Sequence, residues 1–260
     1  MRTTLICHHD SPLDRLVLAG WLASFSTLAG IVVIEEMGGR RRTRIVREWE
    51  RSGLLGLADV LAFRVFYRAA LAAGDARWTD ETVERLAARY PVPPDVPVLV
   101  ASSPNAPEVF EFLRAREADV CIARCKTLLK RDVYSCARTG TFVMHPGICP
   151  EYRNAHGCFW ALANADPGRV GMTLLKIDDG IDTGPVYGWF TYPFDARRES
   201  HIVIQARVVL DNLDAIAERL GEIHEGRAGP LDVSGRRSAV WGQPRMTRWI
   251  GIRARAARAS

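Results

Sequence analysis

The chain has 260 residues, of which 48% are hydrophobic and 25% are charged, and its formal net charge is +5. This composition is typical of a globular protein with a sizeable core, so a disordered chain is not expected. No stretch reaches the roughly 20 uninterrupted apolar residues of a membrane span, and the first residues enter a strand without a leader, so we expect a cytoplasmic protein.

The basic charge is concentrated in two arginine-rich segments, Arg40 to Arg51 and Arg236 to Arg258. Such segments can bind RNA, membranes or an acidic substrate. We favour a solvated surface and do not expect a nucleic-acid partner, because no aromatic residues alternate with the arginines as a base-stacking platform requires. Six scattered cysteines form no CxxC pair, so we predict reduced thiols and no metal site.

The first predicted unit is a strand, a polar turn and a helix. Thr3 to Cys7 is apolar enough for a buried strand, and Leu13 to Leu22 has helical spacing. This order is typical of a Rossmann-like unit. The turn between them carries four polar residues that either cap the helix or contact a ligand: His8, His9, Asp10 and Ser11. Metal binding is the weaker alternative, because adjacent side chains diverge.

The next predicted elements alternate between strands and helices. Ala29 to Glu35 is predicted to be a strand, and Arg40 to Ala73 a basic helical stretch whose apolar residues serve the core. A third strand at Val98 to Ala101 precedes a helix from Glu108 to Glu117, for which Asn105 is the expected cap.

A buried strand from Asp119 to Ala123 is followed by the apolar pair Leu128 and Leu129. Without further information this pair predicts the opening of a helix. Past the centre of the chain, strands are expected at Val170 to Lys176 and Val186 to Tyr192. Ser200 is expected to cap one long helix from His201 to Leu220.

The apolar run from Phe142 stops abruptly at His145, which Pro146 and Gly147 follow. A strand that ends in this way delivers the histidine to the carboxyl edge of a sheet, where α/β proteins bind their ligands. Asp182 follows in a glycine-rich segment that lets the backbone turn tightly. A histidine and a carboxylate brought together in this way form a general base and its orienting partner, although Asp182 also suits a turn.

Two segments resemble the folate-dependent formyltransferase family, which includes the glycinamide ribonucleotide, methionyl-tRNA and sugar N-formyltransferases. They are His145-Pro146-Gly147-Ile148-Cys149-Pro150-Glu151-Tyr152-Arg153 and Asp179-Gly180-Ile181-Asp182-Thr183-Gly184-Pro185. The resemblance implies an α/β, Rossmann-like formyltransferase fold with a mostly parallel central sheet. It places that domain at residues 1–195 with a helical insertion at about 38–92, and it places a C-terminal helix and arginine-rich tail, 196–260, on the same domain.

The resemblance also implies roles for the polar and apolar residues around these segments. His145 and Asp182 take the catalytic positions. Leu128 and Leu129 line the pterin pocket of the formyl donor 10-formyltetrahydrofolate, and Asp178, Asp179 and Gly180 contact the pterin through the backbone. The turn His8, His9, Asp10 and Ser11 contacts the acceptor. The tail segment from Trp241 to Pro244 packs back on the core.

One position departs from the family. Where the family has a catalytic asparagine two residues before the histidine, this chain has Val143. A hydrogen-bond donor at this place stabilises the charge that develops on the formyl oxygen, and valine offers none. The candidates to replace it are the side chains of Asn154 and His156, a backbone N–H near Gly147, or protonated His145.

We therefore expect transfer of a formyl group from 10-formyltetrahydrofolate to an amine of a small acceptor, such as an amino sugar, nucleotide or amino acid. The sequence contains no recognisable C-terminal barrel, which argues against a tRNA acceptor. The alternatives are a folate-dependent hydrolase, other one-carbon or acyl chemistry on the same scaffold, and a non-catalytic ligand-binding relative. The sequence leaves the oligomeric state open, with a homodimer as one option.

Overall fold

A computed structural model describes residues 1–35 and 41–258, without the side chains of 41–49, 51 and 52. Its main sheet has seven strands in the order β3-β2-β1-β4-β5-β7-β8. These strands are β1 Arg2–His8, β2 Thr27–Ile34, β3 Val98–Ala101, β4 Val120–Arg124, β5 Gly140–His145, β7 Gly171–Lys176 and β8 Val186–Thr191. The first five are parallel, and β7 and β8 each run antiparallel to the neighbouring strand. The mostly parallel sheet and the α/β class are confirmed.

Helices lie on both faces of this sheet. They are α1 Ala19–Phe25, α2 Arg41–Phe66, α3 Ala72–Arg89, α4 Pro107–Arg116, α5 Arg131–Tyr134, α6 Gly157–Ala163, α7 His201–Leu210, α8 Leu213–His224 and α9 Met246–Arg258. Short π-helical segments, Leu13–Leu18 and Tyr67–Leu71, precede α1 and α3. A small parallel pair joins β6, Arg153–Asn154, to β9, Val240–Trp241.

Alternation along the strands divides the buried residues between the two faces of the sheet. In β5, Phe142 and Met144 belong to the larger core cluster with α1, α6, α7 and α8. Val143 lies on the opposite face, against Leu175 and Val186. His145 follows Val143 with the same parity, so both residues belong to the face away from the larger core.

The strand order reverses between β1 and β4, and α/β proteins bind ligands at the carboxyl edge beside such a reversal. β1, β4 and β5 end there at His8, Arg124 and His145. Arg124 links these ends, because its Nε donates to Asp14 Oδ1 (2.9 Å) and its Nη1 donates to the carbonyl of Met144 (2.6 Å). The edge that carries His145 is thereby tied to the first helical turn after β1.

Three local predictions were wrong. Asn105 does not cap α4, which begins after Ala106 without a side-chain cap; its amide instead donates to the carbonyl of Leu128 and accepts from Lys130 N–H. The helix that Ser200 caps ends at Leu210, and a new helix starts at Leu213. The tail contains α9, whose apolar residues Trp249 and Ile252 are buried in the core. The sequence also allows Arg40 to Arg44 to hold a phosphate, and this prediction falls on side chains outside the described residues.

Candidate active site

His145 is held at the end of β5 with only 5% of its surface exposed. Its Nε2 lies 2.8 Å from the carbonyl oxygen of Tyr152. Because a carbonyl oxygen only accepts hydrogen bonds, Nε2 carries the proton and donates it. The neutral imidazole therefore has its lone pair on Nδ1, on the side where Asp182 lies.

Asp182 completes the pair. Its Oδ2 lies 3.5 Å from His145 Nδ1 and accepts a 2.7 Å hydrogen bond from the backbone N–H of Asn154. The backbone of Asp182 is left-handed, with φ of 50°, a conformation that aspartate tolerates better than most residues. A strained turn at this point brings the carboxylate to the imidazole, as occurs often at functional sites.

The histidine is also fixed by a close backbone contact between two glycines. A Cβ on Gly147 would lie 2.5 Å from the carbonyl oxygen of Tyr152, 2.8 Å from His145 Nε2 and 2.9 Å from the Cα of Gly157. These distances are far below ordinary contact, so any side chain at residue 147 must displace the hydrogen bond that sets the tautomer of His145.

We expect Gly147→Ala to lower kcat about 100-fold, because a shift of about 1 Å in a catalytic group has an effect of that size. It is also expected to lower the melting temperature, since the methyl group is forced into a filled space. Gly168→Ala is the control, because a Cβ there meets nothing within 4 Å. Full activity of Gly147→Ala would show that the Tyr152 contact does not matter for His145.

The acidic loop before β8 is closed by its own side chains. Asp178 Oδ1 accepts from the Gly180 N–H (2.9 Å) and from the Thr183 hydroxyl (2.8 Å). Asp179 points the other way, to the guanidinium of Arg131 and the Tyr134 hydroxyl on α5. Arg131, followed by Tyr134, lowers the pKa of the Asp179 carboxyl from its ordinary value. The loop is therefore anchored to α5, and its backbone at Asp178 to Gly180 stays close to the sheet edge.

The turn after β1 splits into a buried and an exposed part. His8 is buried, and its Nε2 accepts from the backbone N–H of Lys126 (3.1 Å). Asp10 is exposed, and His9 pairs with Glu35 through a 3.1 Å contact. The Ser11 hydroxyl donates to Asp14 Oδ2 (2.7 Å) and so does not cap the helical segment, whereas the backbone carbonyl of Ser11 accepts from the N–H of Arg15 (3.0 Å).

Leu128 and Leu129 lie in the loop that His8 and Asn105 hold. Leu129 is buried in the core cluster on the α4 and α5 side of the sheet. Leu128 is 56% exposed although it is aliphatic. Of these two leucines, only Leu128 therefore offers apolar surface to a ligand.

Comparisons with known proteins agree with this geometry. The model of the family described as formyl transferase matches residues 69–218, more than half of the chain and including both His145 and Asp182. The chain belongs to the formyl transferase family.

The curated relatives match only parts of this chain. The methionyl-tRNA formyltransferase of Bacteroides fragilis is 29% identical over 136 residues, which are 50% of this chain and 42% of that protein. The cytosolic 10-formyltetrahydrofolate dehydrogenase of Xenopus tropicalis is 35% identical over 81 residues, 31% of this chain and 9% of that protein. The chain thus spans less than half the length of these curated relatives.

Solved structures share the fold of this chain. A phosphoribosylglycinamide formyltransferase from Anaplasma phagocytophilum aligns with a TM-score of 0.56 at 13% identity, over 94% of this chain and 99% of that one. A sugar N-formyltransferase from Shewanella sp. aligns with a TM-score of 0.54 at 14% identity, over 93% and 77%. At these identities the likeness establishes the Rossmann-like formyltransferase fold alone.

The surroundings of Val143 are apolar. Val143 packs with Cys149, Leu175 and Val186, and Trp189 and Val233 lie at the edge of the same cluster. Burial raises the pKa of the Cys149 thiol strongly, so this thiol stays protonated. The cluster therefore supplies no charged donor beside His145.

The two side chains outside the pair that were candidates to replace the missing amide, Asn154 and His156, are engaged elsewhere. The side-chain amide of Asn154 donates to the carbonyl oxygen of Trp241 (2.5 Å). His156 Nδ1 lies 3.3 Å from the Gln205 amide, and its ring stands 5.7 Å from that of His201. Burial, assisted by the charge of Arg64, lowers the pKa of His156 to about 4. In this arrangement neither side chain is directed to the His145 and Asp182 pair.

The C-terminal segment contacts the loop after β5, which contains Glu151. The resemblance of Trp241 to Pro244 to a tail segment of the family predicts packing on the core, but it does not predict how many contacts are made. Arg236 forms two hydrogen bonds with Glu151, of 2.9 and 2.8 Å, and Trp241 donates to the carbonyl of Glu151 (2.8 Å). Trp241 also stacks on Trp160, with ring centroids 4.9 Å apart. These contacting residues are 85 to 90 positions apart in the sequence, and no local sequence pattern predicts such a contact. Only the tertiary structure shows it.

Other features limit the chemistry of the described residues. In the described ranges no group of three or more His, Cys, Asp or Glu side chains is arranged to hold a metal ion. None of the helices described is long and apolar enough to cross a bilayer. Clefts of about 510 and 470 Å³ open along α3 and are both lined by Trp78, and neither includes His145 or Asp182.

Acid is expected to destabilise the fold through its buried histidines. Burial lowers the pKa of His201 to about 3 and that of His156 to about 4, from an ordinary 6.5. Between pH 6.5 and 4 the unfolded chain binds these protons and the folded chain does not, so stability falls as pH falls. Each group contributes on the order of 1–2 kcal/mol to this loss at about pH 5.

We expect His201→Leu to reduce this acid sensitivity. Among the described residues nothing hydrogen-bonds His201 Nδ1, and the ring lies among Phe63, Phe159 and Trp249, so an apolar replacement is tolerated. The variant should melt several degrees above the wild type at about pH 5 and close to it at about pH 7.5. His224→Leu, at an exposed position, is the control. If the melting temperature of His201→Leu falls between the two pH values as much as that of the wild type, the role of His201 is refuted.

Proposed function

We propose that the chain transfers a formyl group from 10-formyltetrahydrofolate to an amine of a small acceptor. The observation that carries the proposal is the convergence of His145 and Asp182, 3.5 Å apart at the carboxyl end of β5, within the part of the chain that the family model matches. Removal of a proton from an attacking amine needs a general base, and a nearby carboxylate stabilises that base once it is protonated.

The hydrogen bonds of His145 assign its two nitrogens different tasks. Nε2–H is held by the Tyr152 carbonyl, so Nδ1 is the nitrogen that accepts the proton from the amine. Asp182 then stabilises the imidazolium from 3.5 Å, and the Asn154 N–H keeps the carboxylate in place. The proton leaves again with the nitrogen of the donor, to which the formyl carbon was bound.

The residues on the donor side fit a flat heterocycle. Leu128 presents exposed aliphatic surface from a loop that His8 and Asn105 hold by backbone hydrogen bonds. The loop Asp178 to Gly180 is closed by the side chain of Asp178 and anchored to α5 by Asp179. We infer that Leu128 and the backbone of this loop hold the pterin, with Leu129 supporting Leu128 from the core. When bound, the donor supplies the formyl carbon.

On the acceptor side, we infer that the turn after β1 makes the contacts. His9 is 55% exposed, and Asp10 is exposed, so both are available to a polar substrate. His8 and Ser11 are engaged with Lys126 and Asp14, and their role is to shape the turn. The protein is proposed to act in the cytoplasm on a small molecule, which agrees with the lack of a membrane-spanning helix in the described ranges.

A folate-dependent hydrolase is the second candidate, because the pair of His145 and Asp182 can activate water as well as an amine.

A binding and product assay distinguishes these functions. The protein is titrated with a reduced folate, and then incubated with 10-formyltetrahydrofolate alone and with amino sugars, aminonucleotides or amino acids. Formylated acceptor supports the transferase, and formate without acceptor product supports the hydrolase. Binding without either product would indicate a ligand-binding relative, and the absence of folate binding would reject every folate-based function.

A further inference from the structure

The smaller of the two clefts along α3 has a volume of about 470 Å³ and is bounded by α3, the start of α7 and α9. We term it the α9 cleft. Its volume is within the range of small-molecule binding sites. Three aromatic side chains line it, those of Phe66, Trp78 and Trp249. It includes neither His145 nor Asp182, so it is a second site, beyond the proposed function.

Trp78 provides a flat surface in this cleft. The residue is half-buried on α3. Among the described residues its ring contacts no other aromatic ring, and its indole N–H has no hydrogen-bond partner. Trp249, in contrast, is buried and packs on Phe63 and Phe66, with ring centroids 5.9 and 6.2 Å away. An indole ring that is partly open to solvent is a stacking surface for a flat heterocycle.

The two carboxylates that line the α9 cleft are engaged within the protein. Asp75 Oδ2 accepts from the Ser200 hydroxyl (2.8 Å). Glu199 Oε2 accepts from the Tyr192 hydroxyl (2.8 Å), and its other oxygen pairs with Arg207. Asp75 is 8% exposed and the Glu199 side chain 11%. Neither carboxylate is therefore available to a cationic ligand.

The cationic side chains of the cleft are, in contrast, open to solvent. They are Arg197, Arg198 and Arg253. The Arg197 guanidinium has no partner among the described residues, and Arg198 meets Asp195 only at 3.6 Å. Arg253 donates to the carbonyl of Ala196 (2.8 Å) through one nitrogen. Guanidinium groups bind phosphate oxygens well, and three of them match a phosphate monoester, which carries nearly two negative charges, better than a carboxylate.

We propose that the α9 cleft binds a nucleoside monophosphate, with the base on Trp78 and the phosphate at Arg197, Arg198 and Arg253. One sugar joins the base to the phosphate, and a cleft of about 470 Å³ holds a ligand of this size. The expected Kd is on the order of 10 μM, from the binding energy per atom that is usual for ligands of this size.

Calorimetric titration of the full chain with AMP, GMP, CMP and UMP tests this site. At least one of them is expected to bind saturably. Its nucleoside and inorganic phosphate are each expected to bind at least about 10-fold more weakly, because each lacks part of the contacts. Arg197→Gln is expected to weaken nucleotide binding about 10-fold, because a charged hydrogen bond to the phosphate is lost. Arg237→Gln is the control for net charge, since Arg237 is exposed and lies outside the cleft.

Gly74→Phe tests where the nucleotide binds. Gly74 lines the α9 cleft, and a Cβ there meets nothing within 4 Å, so a phenyl group occupies the cleft without displacing the helix. Nucleotide binding is expected to fall at least about 100-fold. Gly221→Phe is the matched control, because Gly221 is also a helical glycine beside open space and lies outside both clefts. Melting temperatures confirm that both variants fold.

Three results would each overturn the proposal. They are no saturable binding of any of the four nucleotides up to about 1 mM, binding of inorganic phosphate as tight as that of the nucleotide, and nucleotide binding that Gly74→Phe leaves unchanged. The third result would mean that the nucleotide binds elsewhere, for example beside His145. None of these measurements requires formyl transfer, so the proposed function can fail while the nucleotide site stands.

Discussion

His145→Ala is expected to lower kcat/KM for formyl transfer about 1000-fold, within the range for loss of a general base. The reason is geometric: Nδ1 lies 3.5 Å from the Asp182 carboxylate, and no other imidazole is directed to this place in the described part of the chain. Steady-state rates with saturating folate donor measure the effect. His224→Ala, an exposed histidine at the end of α8, is the control and should keep the wild-type rate.

Asp182→Asn isolates the charge of the carboxylate from its position. The amide oxygen can still accept from the Asn154 N–H, so the loop stays in place while the negative charge is removed. We expect a loss of about 100-fold. The double variant should be no slower than His145→Ala alone, because groups that act as one unit are not additive. If the losses of rate in the two single variants multiply in the double variant, the two residues do not act together. Asp211→Asn, on the surface, is the matched control.

Val143→Asn is expected to raise the rate of formyl transfer about 10- to 100-fold, because it places an amide donor where charge develops on the formyl oxygen. Leu175 and Val186, which surround this position, provide no such donor. The rate of formate release, measured in the same reactions, shows whether the gain goes to the acceptor or to water.

Val143→Leu is the control for this gain, since leucine has nearly the shape of asparagine but no polar atoms. Both variants are expected to fold, with a modest loss of stability for the asparagine in its apolar cluster. Equal rates for the two variants would mean that another group already binds the formyl oxygen. In that case a backbone N–H near Gly147 becomes the first candidate, other than those of Gly147 and Cys149, which donate to the carbonyl of His145 and to the Thr173 hydroxyl.

Local patterns predicted most of the fold, because strands buried on both sides and amphipathic helices have distinct periods. The strands at Thr3, Val98 and Phe142 and the cap at Ser200 needed no distant information. The errors arose where tertiary contacts outweigh propensity. Asn105 has the chemistry of a cap, yet a loop 23 residues away uses its amide. The tail from Gly221 has the composition of a loop, yet burial of Trp249 stabilises α9.

The sequence by itself determined the order of strands and helices, the family, and His145 and Asp182 as residues of interest, because these depend on local periodicity and on short motifs. The tertiary structure decided which nitrogen of His145 is free, since the Tyr152 carbonyl engages the other. It also decided that the side chains of Asn154 and His156 contact Trp241 and Gln205. Likewise, only the structure shows that Arg236 and Trp241 form hydrogen bonds with Glu151. These contacts join distant segments, and only the closure of the fold brings such segments within hydrogen-bonding distance.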